Sequence, residues 1–182
     1  MTAELDILKL VTSQLDEAAI PYMLTGSIAA GYYAEPRMTR DADIVVELTG
    51  SDASRLAAMF GQDFNADAET IANAIRRGRM FNLIHTVAVV KVDFIIRKDD
   101  PFRREEFARR RRVNLAGVDT WIVAVEDLIL SKLHWAKDSH SELQLRDVRR
   151  LVSAAKDLDL AYLTKWAAYL GVTALLEEVH AS

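Results

Sequence analysis

Two aspartates with one residue between them give the sequence its first chemical signal. Asp41 and Asp43 run directly into the apolar segment Ile44-Val45-Val46, which is typical of a buried strand. Alternate side chains of a strand share one face, so both carboxylates are expected to project together. Adjacent carboxylates repel one another unless a divalent cation lies between their oxygens. The pair therefore predicts catalytic metal ligands for magnesium or manganese.

A third aspartate lies in a later apolar run. Asp93 is the only acid in the segment Val90 to Ile96, where an unpartnered charged carboxylate would be costly to bury. We expect it to join the first two aspartates as a metal ligand and catalytic acid or base. The alternative is an edge-strand residue paired with Lys91 or Arg97, and Lys91 shares the strand face of Asp93.

A glycine-serine pair supplies the features of a phosphate-binding turn. Gly26 and Ser27 separate a predicted strand at 21–24 from a predicted helix at 28–34. Glycine allows close approach of a ligand, serine can cap the helix, and free amides at a helix N-terminus attract anions. We expect this turn to bind the phosphates of a nucleoside triphosphate.

Together these motifs resemble the signature of the DNA polymerase β-like nucleotidyltransferase superfamily. A later part of the chain resembles the lysine and aspartate motifs of the AbiEii/MenT branch, which includes toxins of toxin-antitoxin systems. The resemblance extends over residues 20 to 150. The resemblance depends on the order and spacing of these motifs: Gly26-Ser27, then after thirteen residues Asp41 and Asp43, then Asp93, and finally the segments 126–133 and 144–148.

The resemblance implies further nucleotide-binding residues. Lys132 would act as a cation for the triphosphate, and Asp147 would orient that lysine. The alternatives are a lysine that reaches solvent along an apolar stem, and a surface ion pair of the aspartate with Arg150 or Lys156. Arg40 is a further candidate near the leaving group, although strand alternation directs it away from the adjacent aspartate.

Composition limits the class of protein. The chain has 182 residues, of which 51% are hydrophobic, and its length suffices for a sizeable core. It contains no cysteine, which excludes disulfides and thiolate metal sites. No apolar stretch approaches the roughly 20 residues that a bilayer requires, and the first residues are acidic. We expect a soluble, cytoplasmic protein without a membrane partner.

The pattern of elements predicts an α/β (α+β) fold. The resemblance implies a nucleotidyltransferase fold with a small mixed sheet flanked by helices. We expect a catalytic core at 1–123 and a helical region at 124–182 packed on it. Expected strands are 21–24, 41–48, 80–85, 88–96, 113–115 and 120–123, with a hairpin turn at His85-Thr86. Expected helices begin with the amphipathic segment around Leu5 to Leu15 and continue at 28–34, 53–60, 66–77, 102–112, 126–137, 142–155, 161–170 and 172–179.

An arginine-rich segment, 103–112, invites a nucleic-acid interpretation. Against it, Glu105 with Arg109 and Glu106 with Arg110 have the spacing of ion pairs on a solvated helix. The net charge of −4 also argues against a strongly cationic surface. Both interpretations stay open.

Histidine and aromatic residues are expected to be structural. The four histidines have no spacing typical of metal ligands. Aromatic residues spaced among leucines and alanines are more typical of packing anchors than of a base-stacking platform. Those expected in the core or between helices are Trp121, Trp135, Trp166, Tyr162 and Tyr169.

The expected activity is metal-dependent transfer of a nucleoside monophosphate from a nucleoside triphosphate to an acceptor hydroxyl. The acceptor could be an RNA such as tRNA, or a protein, and the toxin-antitoxin resemblance implies an antitoxin or partner subunit. A second hypothesis is a partner-dependent or non-catalytic nucleotide-binding module. A third is a transferase acting on a small molecule of the antibiotic type.

Overall fold

The computed structural model describes residues 3–35, 41–139 and 141–181. Within these ranges the chain folds around one six-stranded mixed sheet. The strands are β1 Tyr22–Thr25, β2 Asp41–Val46, β3 Phe81–Ile84, β4 Lys91–Ile96, β5 Arg111–Leu115 and β6 Val118–Ile122. The helices are α1 Ala3–Glu17, α2 Gly26–Tyr33, α3 Asp52–Phe60, α4 Ala68–Arg77, α5 Pro101–Ala108, α6 Val125–Ser139, α7 Glu142–Ala154, α8 Leu160–Leu170 and α9 Thr173–Ala181.

The sheet has the strand order β3-β4-β2-β1-β6-β5. Strand β2 is parallel to β4 and antiparallel to β1, while β1 is parallel to β6. The outer pairs, β3 with β4 and β5 with β6, are antiparallel hairpins. This arrangement confirms the expected mixed sheet with flanking helices. Because β2 and β4 are parallel neighbours, their first residues lie at the same edge of the sheet.

One continuous hydrophobic core joins the sheet to the C-terminal helices. Leu24 and Phe94 from the sheet, and Leu128 and Val148 from α6 and α7, are at most 1% exposed and belong to the same cluster. Removal of this much apolar surface from water is the main stabilising contribution to such a fold. The division of the chain at 123/124 stays a prediction.

The expected helix at 102–112 is shorter than its pattern indicates. It starts as expected, because Pro101 occupies the first turn and the Asp100 carboxylate accepts hydrogen bonds from the next two free amides. It ends at Ala108, and the chain enters β5 at Arg111. Strand pairing with β6 therefore overrides the helical pattern of the arginine-rich segment.

The hairpin between β3 and β4 has a longer connection than expected. Strand β3 ends at Ile84 and β4 begins at Lys91, so the turn does not close through His85 and Thr86 alone. The amide of Ala88 donates a hydrogen bond to Nδ1 of the His85 ring at 3.0 Å. This contact gives the histidine a structural role in the loop.

Aromatic residues divide between core and surface. Trp166 is 7% exposed and packs as expected, whereas Trp135 is 61% and Tyr169 51% exposed. The expectation of core packing is therefore wrong for these two side chains. No helix in the described ranges is both long and apolar enough to cross a membrane.

Candidate active site

The three predicted acids meet at one edge of the sheet. Strands β2 and β4 pair in parallel register, with Asp43 directly opposite Asp93 and Asp41 directly opposite Lys91. Opposed residues of neighbouring strands project to the same face, as do residues two apart on one strand. The side chain of Asp93 is buried and that of Asp41 is half exposed. The result is a cluster of acids, open to solvent at its outer end.

Burial and the neighbouring carboxylates raise the pKa of Asp43. The pKa of Asp43 is raised, first by burial and then by the charge of Asp93, with a further contribution from Asp41. Lys132 and Lys91 oppose this increase. The site therefore holds more negative charge than its own cations offset, and an additional cation would stabilise the ionised carboxylates.

Lys91 lies among the acids. Its Nζ is 2.9 Å from Oδ2 of Asp93 and 3.5 Å from Oδ2 of Asp41. The pKa of Lys91 is raised, mainly by the hydrogen bond with Asp93, so the ammonium group stays charged. The expected contact of Asp93 with Lys91 is thus present, but the edge-strand alternative is wrong, because β4 lies between β3 and β2 and the ion pair forms within the acid cluster.

The donor set of the site suits a hard divalent cation. Within the described ranges no three acidic or histidine side chains are arranged as a complete metal-binding group. Buried Oδ1 of Asp93 nevertheless has no hydrogen-bond partner there. A buried oxygen without a donor, next to two further carboxylates, fits magnesium or manganese, which prefer oxygen ligands. Asp41, Asp43 and Asp93 would hold such an ion.

The glycine of the predicted phosphate turn packs against the central acid. Gly26 opens α2 with a φ of +62°, and a Cβ placed on it would lie 1.9 Å from Oδ2 of Asp43. Any other residue would clash with the carboxylate and strain the backbone. The pairing of Thr25 with Asp43 in the β1–β2 ladder brings the start of α2 to the acids. Ser27 follows in the first helical turn and is half-buried.

The lysine and aspartate of the C-terminal motifs form a buried ion pair. Nζ of Lys132 is 2.8 Å from Oδ2 of Asp147 and 3.0 Å from Oε1 of Gln144. The lysine is 5% and the aspartate 3% exposed, so neither is a surface residue. Since the charge of Lys132 also lowers the pKa of Asp43, α6 and α7 bring a cation to the acid cluster. Arg40, the remaining predicted residue, lies outside the described residues.

The arginine-rich segment contributes to a different, internal network. Arg109 does not pair with Glu105: its Nε lies 2.9 Å from Oδ2 of Asp127, and its terminal nitrogen 3.1 Å from Oε2 of Glu126. Its guanidinium lies 3.8 Å from the centre of the Tyr162 ring. The predicted ion pair along the helix is therefore wrong, because the helix has ended and the side chain turns towards α6.

Neighbouring members of the segment are also paired within the chain. The carboxylate of Glu106 accepts hydrogen bonds from Ser131 at 2.6 Å and from Arg103 at 2.9 Å, and not from Arg110. Arg112 binds Asp16 of α1 at 3.0 Å. These contacts remove much of the basic surface that the sequence alone indicates.

Burial changes the proton affinity of Asp127 in this network. Burial raises the pKa of Asp127 to about 6, although the hydrogen bonds from Tyr162 and Arg109 oppose the increase. Tyr162 donates to Oδ1 of Asp127 at 2.5 Å. Motif reading did not identify this cluster, because its members come from three separate segments.

No protein-family model matches the chain, and no curated protein matches it in sequence. Several solved structures match it in fold. A nucleotidyltransferase-like antigenic protein from Paracoccidioides brasiliensis superposes with a TM-score of 0.60 at 16% identity, covering 96% of this chain and 90% of that one. The antibiotic-resistance factor ANT(2'')-Ia gives 0.57 at 15% identity, covering 96% and 95%. The lincosamide antibiotic adenylyltransferase LnuA gives 0.53 at 12% identity, covering 81% and 96%. The chain therefore has the fold of nucleotidyltransferases.

Proposed function

We propose that the protein is a metal-dependent nucleotidyltransferase that moves a nucleoside monophosphate from a nucleoside triphosphate to an acceptor hydroxyl. The observation that carries the proposal is the convergence of Asp41, Asp43 and Asp93 on one sheet face, with Gly26 against the central acid. A fold needs no such set of repelling carboxylates for stability, so their clustering supports a catalytic use. The nucleotidyltransferase fold of the solved neighbours supports the same class of chemistry.

Different side chains of the site would bind the phosphates and accept the proton in an in-line displacement at phosphorus. The start of α2, with Gly26 and Ser27, receives the phosphates, and Lys132, held by Asp147, adds positive charge near Asp43. Asp93 presents a buried oxygen that can take the proton of the acceptor hydroxyl. Magnesium, when bound, stabilises the charge that develops on the phosphate and leaving oxygens.

Incubation with each α-labelled nucleoside triphosphate tests the activity. The reactions contain magnesium or manganese and one of three acceptor sets: total RNA, a protein lysate or a panel of aminoglycosides and lincosamides. We expect label to be transferred to one acceptor class, with release of pyrophosphate. Absence of transfer from all four nucleotides with every acceptor and with both metals would contradict the proposal.

Lys91 gives a test that does not depend on turnover. Its ammonium group shares Asp41 and Asp93 with any bound cation, so Lys91→Met should tighten manganese binding about three- to tenfold, because one competing positive charge is removed. Electron paramagnetic resonance of free manganese measures the affinity. The matched control is Lys98→Met at an exposed position, which should leave the affinity unchanged. Weaker binding in Lys91→Met would contradict competition and assign the lysine to holding Asp93 in place.

The acceptor has two candidate classes. The likeness in fold to ANT(2'')-Ia, over 96% of this chain, and to LnuA, over 81%, favours a small molecule with a hydroxyl group. The buried pair of Lys132 with Asp147 favours the AbiEii/MenT branch, in which an RNA acceptor and an antitoxin partner would be expected. The acceptor sets of the labelling experiment separate these two classes.

A further inference from the structure

A cavity on α7 carries arginines that the proposed chemistry leaves unused. It has a volume of about 370 Å³ and lies between the end of α2 and α7. Arg146, Arg149 and Arg150 line it together with Ser153 and Glu35. Residues three and four positions apart lie on one side of a helix, so the three arginines form one continuous basic edge.

The charge of this cavity is only partly offset within the chain. Among the described residues, neither Arg146 nor Arg150 has a carboxylate within ion-pair distance, whereas Arg149 lies 3.1 Å from Glu178 and 3.8 Å from Glu142. Glu142 and Glu178 offset the charge of Arg149, so the guanidinium groups without an acid partner are those of Arg146 and Arg150, and Glu35 is the one carboxylate among the described lining residues. This differs from the arginine-rich segment around α5, where the guanidinium groups bind acids of the same chain.

Helix α7 contributes residues both to the cavity and to the candidate active site. Asp147, which holds Lys132, lies between Arg146 and Arg150 in sequence and projects into the protein instead. One helix therefore presents a buried aspartate towards the acid cluster and an arginine edge towards solvent.

We propose that the cavity formed by Arg146, Arg149 and Arg150 is a phosphate-binding subsite. Guanidinium groups match phosphate oxygens with two parallel hydrogen bonds, and arginines without an acid partner in a concave surface retain that capacity. This inference rests on the proposed function in one respect, because nucleotide transfer supplies two sources of phosphate. These are the phosphodiester backbone of a polynucleotide acceptor and the nucleoside triphosphate.

The test replaces Arg146 and Arg150 by glutamine in the full chain. Two probes are titrated by fluorescence anisotropy over a salt series: a labelled single-stranded oligoribonucleotide of mixed sequence and a fluorescent nucleoside triphosphate. Each lost contact with a single strand lowers the salt slope of binding by about 0.7, so the double variant should lose about 1.4 from the slope if the backbone is the ligand. The matched control is Arg76→Gln with Arg77→Gln, which removes two exposed arginines from α4.

Each outcome has a defined meaning. A lower slope with the oligoribonucleotide assigns the site to the acceptor backbone, and about a tenfold loss of triphosphate affinity alone assigns it to the nucleotide. The proposal would be overturned if the Arg146/Arg150 variant and the Arg76/Arg77 control showed the same affinity and salt slope with both probes. It would also be overturned if the parent protein bound neither probe. Arg146→Lys with Arg150→Lys retains the charge and should retain most of the slope, which guards against misfolding. If the parent binds through these arginines but transfers no label, the subsite stands and the proposed function fails.

Discussion

Replacement of Asp43 by asparagine should reduce nucleotide transfer by about a thousandfold or more, since the variant lacks one of the carboxylates that would hold the metal against the triphosphate. The central position of Asp43 makes it the most sensitive member of the cluster. It faces Asp93 across the ladder and contacts the start of α2 at Gly26. Initial rates measure the effect, with the triphosphate and the acceptor that the labelling experiment identifies.

The same substitution should leave the fold intact or stabilise it. Burial and the charge of Asp93 raise the pKa of Asp43, so its ionised form is a cost to the native state near neutral pH. Asparagine removes that cost and also the attraction to Lys132, which limits the gain. We expect the melting temperature in metal-free buffer to be unchanged or higher by up to about 4 °C, equivalent to about 1 kcal/mol for a chain of this length.

A surface aspartate provides the control. Asp157→Asn makes the same chemical change at an exposed position between helices and should alter neither rate nor stability. A large decrease in the melting temperature of Asp43→Asn would instead identify the carboxylate as structural. Retention of transfer at more than a tenth of the parent rate would remove it from the proposed chemistry.

The pairing of Asp41 with Asp43 was predictable because its geometry is local, whereas Asp93, fifty residues later, was placed beside them from the cost of burying an unpartnered carboxylate and from the resemblance. Strand alternation alone places Asp41 and Asp43 on one face, and the apolar run around Asp93 indicates a neighbouring buried strand. Gly26 was expected to permit the close approach of a ligand, whereas its packing against Asp43 was not predicted. The lysine of α6 was predicted from resemblance, since nothing in its local pattern distinguishes a buried phosphate ligand from a surface lysine.

Long-range partners of charged residues were not predictable in the same way. The spacing of Glu105 and Arg109 predicts a helical ion pair, but the arginine binds Glu126 and Asp127, seventeen and eighteen residues later. Helical spacing identifies neighbours only while the helix continues, and α5 ends first. Similarly, the exposed position of Trp135 depends on which face of α6 other helices cover, and its pattern among apolar residues does not encode this.

The buried network around Arg109 gives the largest expected effect on stability. Glu126 and Asp127 have side chains that are 5% and 0% exposed, and both bind the guanidinium of Arg109. Removal of one partner from a buried ion pair costs about 3–5 kcal/mol, because a charge stays behind without compensation. The side chain of Arg109 is 27% exposed, so we expect the lower end, about 3 kcal/mol, for Arg109→Gln.

Urea denaturation measures this loss, with Arg104→Gln, in the helix that precedes Arg109, as the matched control. Arg104 contacts Asp99 at 2.8 Å, but both side chains are more than half exposed. An exposed pair contributes at most about 1 kcal/mol, so the control should unfold close to the parent midpoint. Equal destabilisation in the two variants would mean that water replaces the guanidinium of Arg109 without penalty.

The dependence of this loss on pH identifies its cause. The pKa of Asp127 is already raised to about 6 with Arg109 present, and it should rise further without that positive charge. An acid with a raised pKa in the native state is most favourable when protonated, and its contribution to stability decreases as pH rises through that pKa. The difference in the free energy of unfolding between parent and Arg109→Gln should therefore be large at pH 8 and shrink towards pH 5.

A second substitution tests the same cause. Adding Asp127→Asn to Arg109→Gln should recover part of the lost free energy of unfolding at pH 8, since it removes the uncompensated charge. A loss that is independent of pH and is not relieved by this second substitution would point to lost packing against Tyr162.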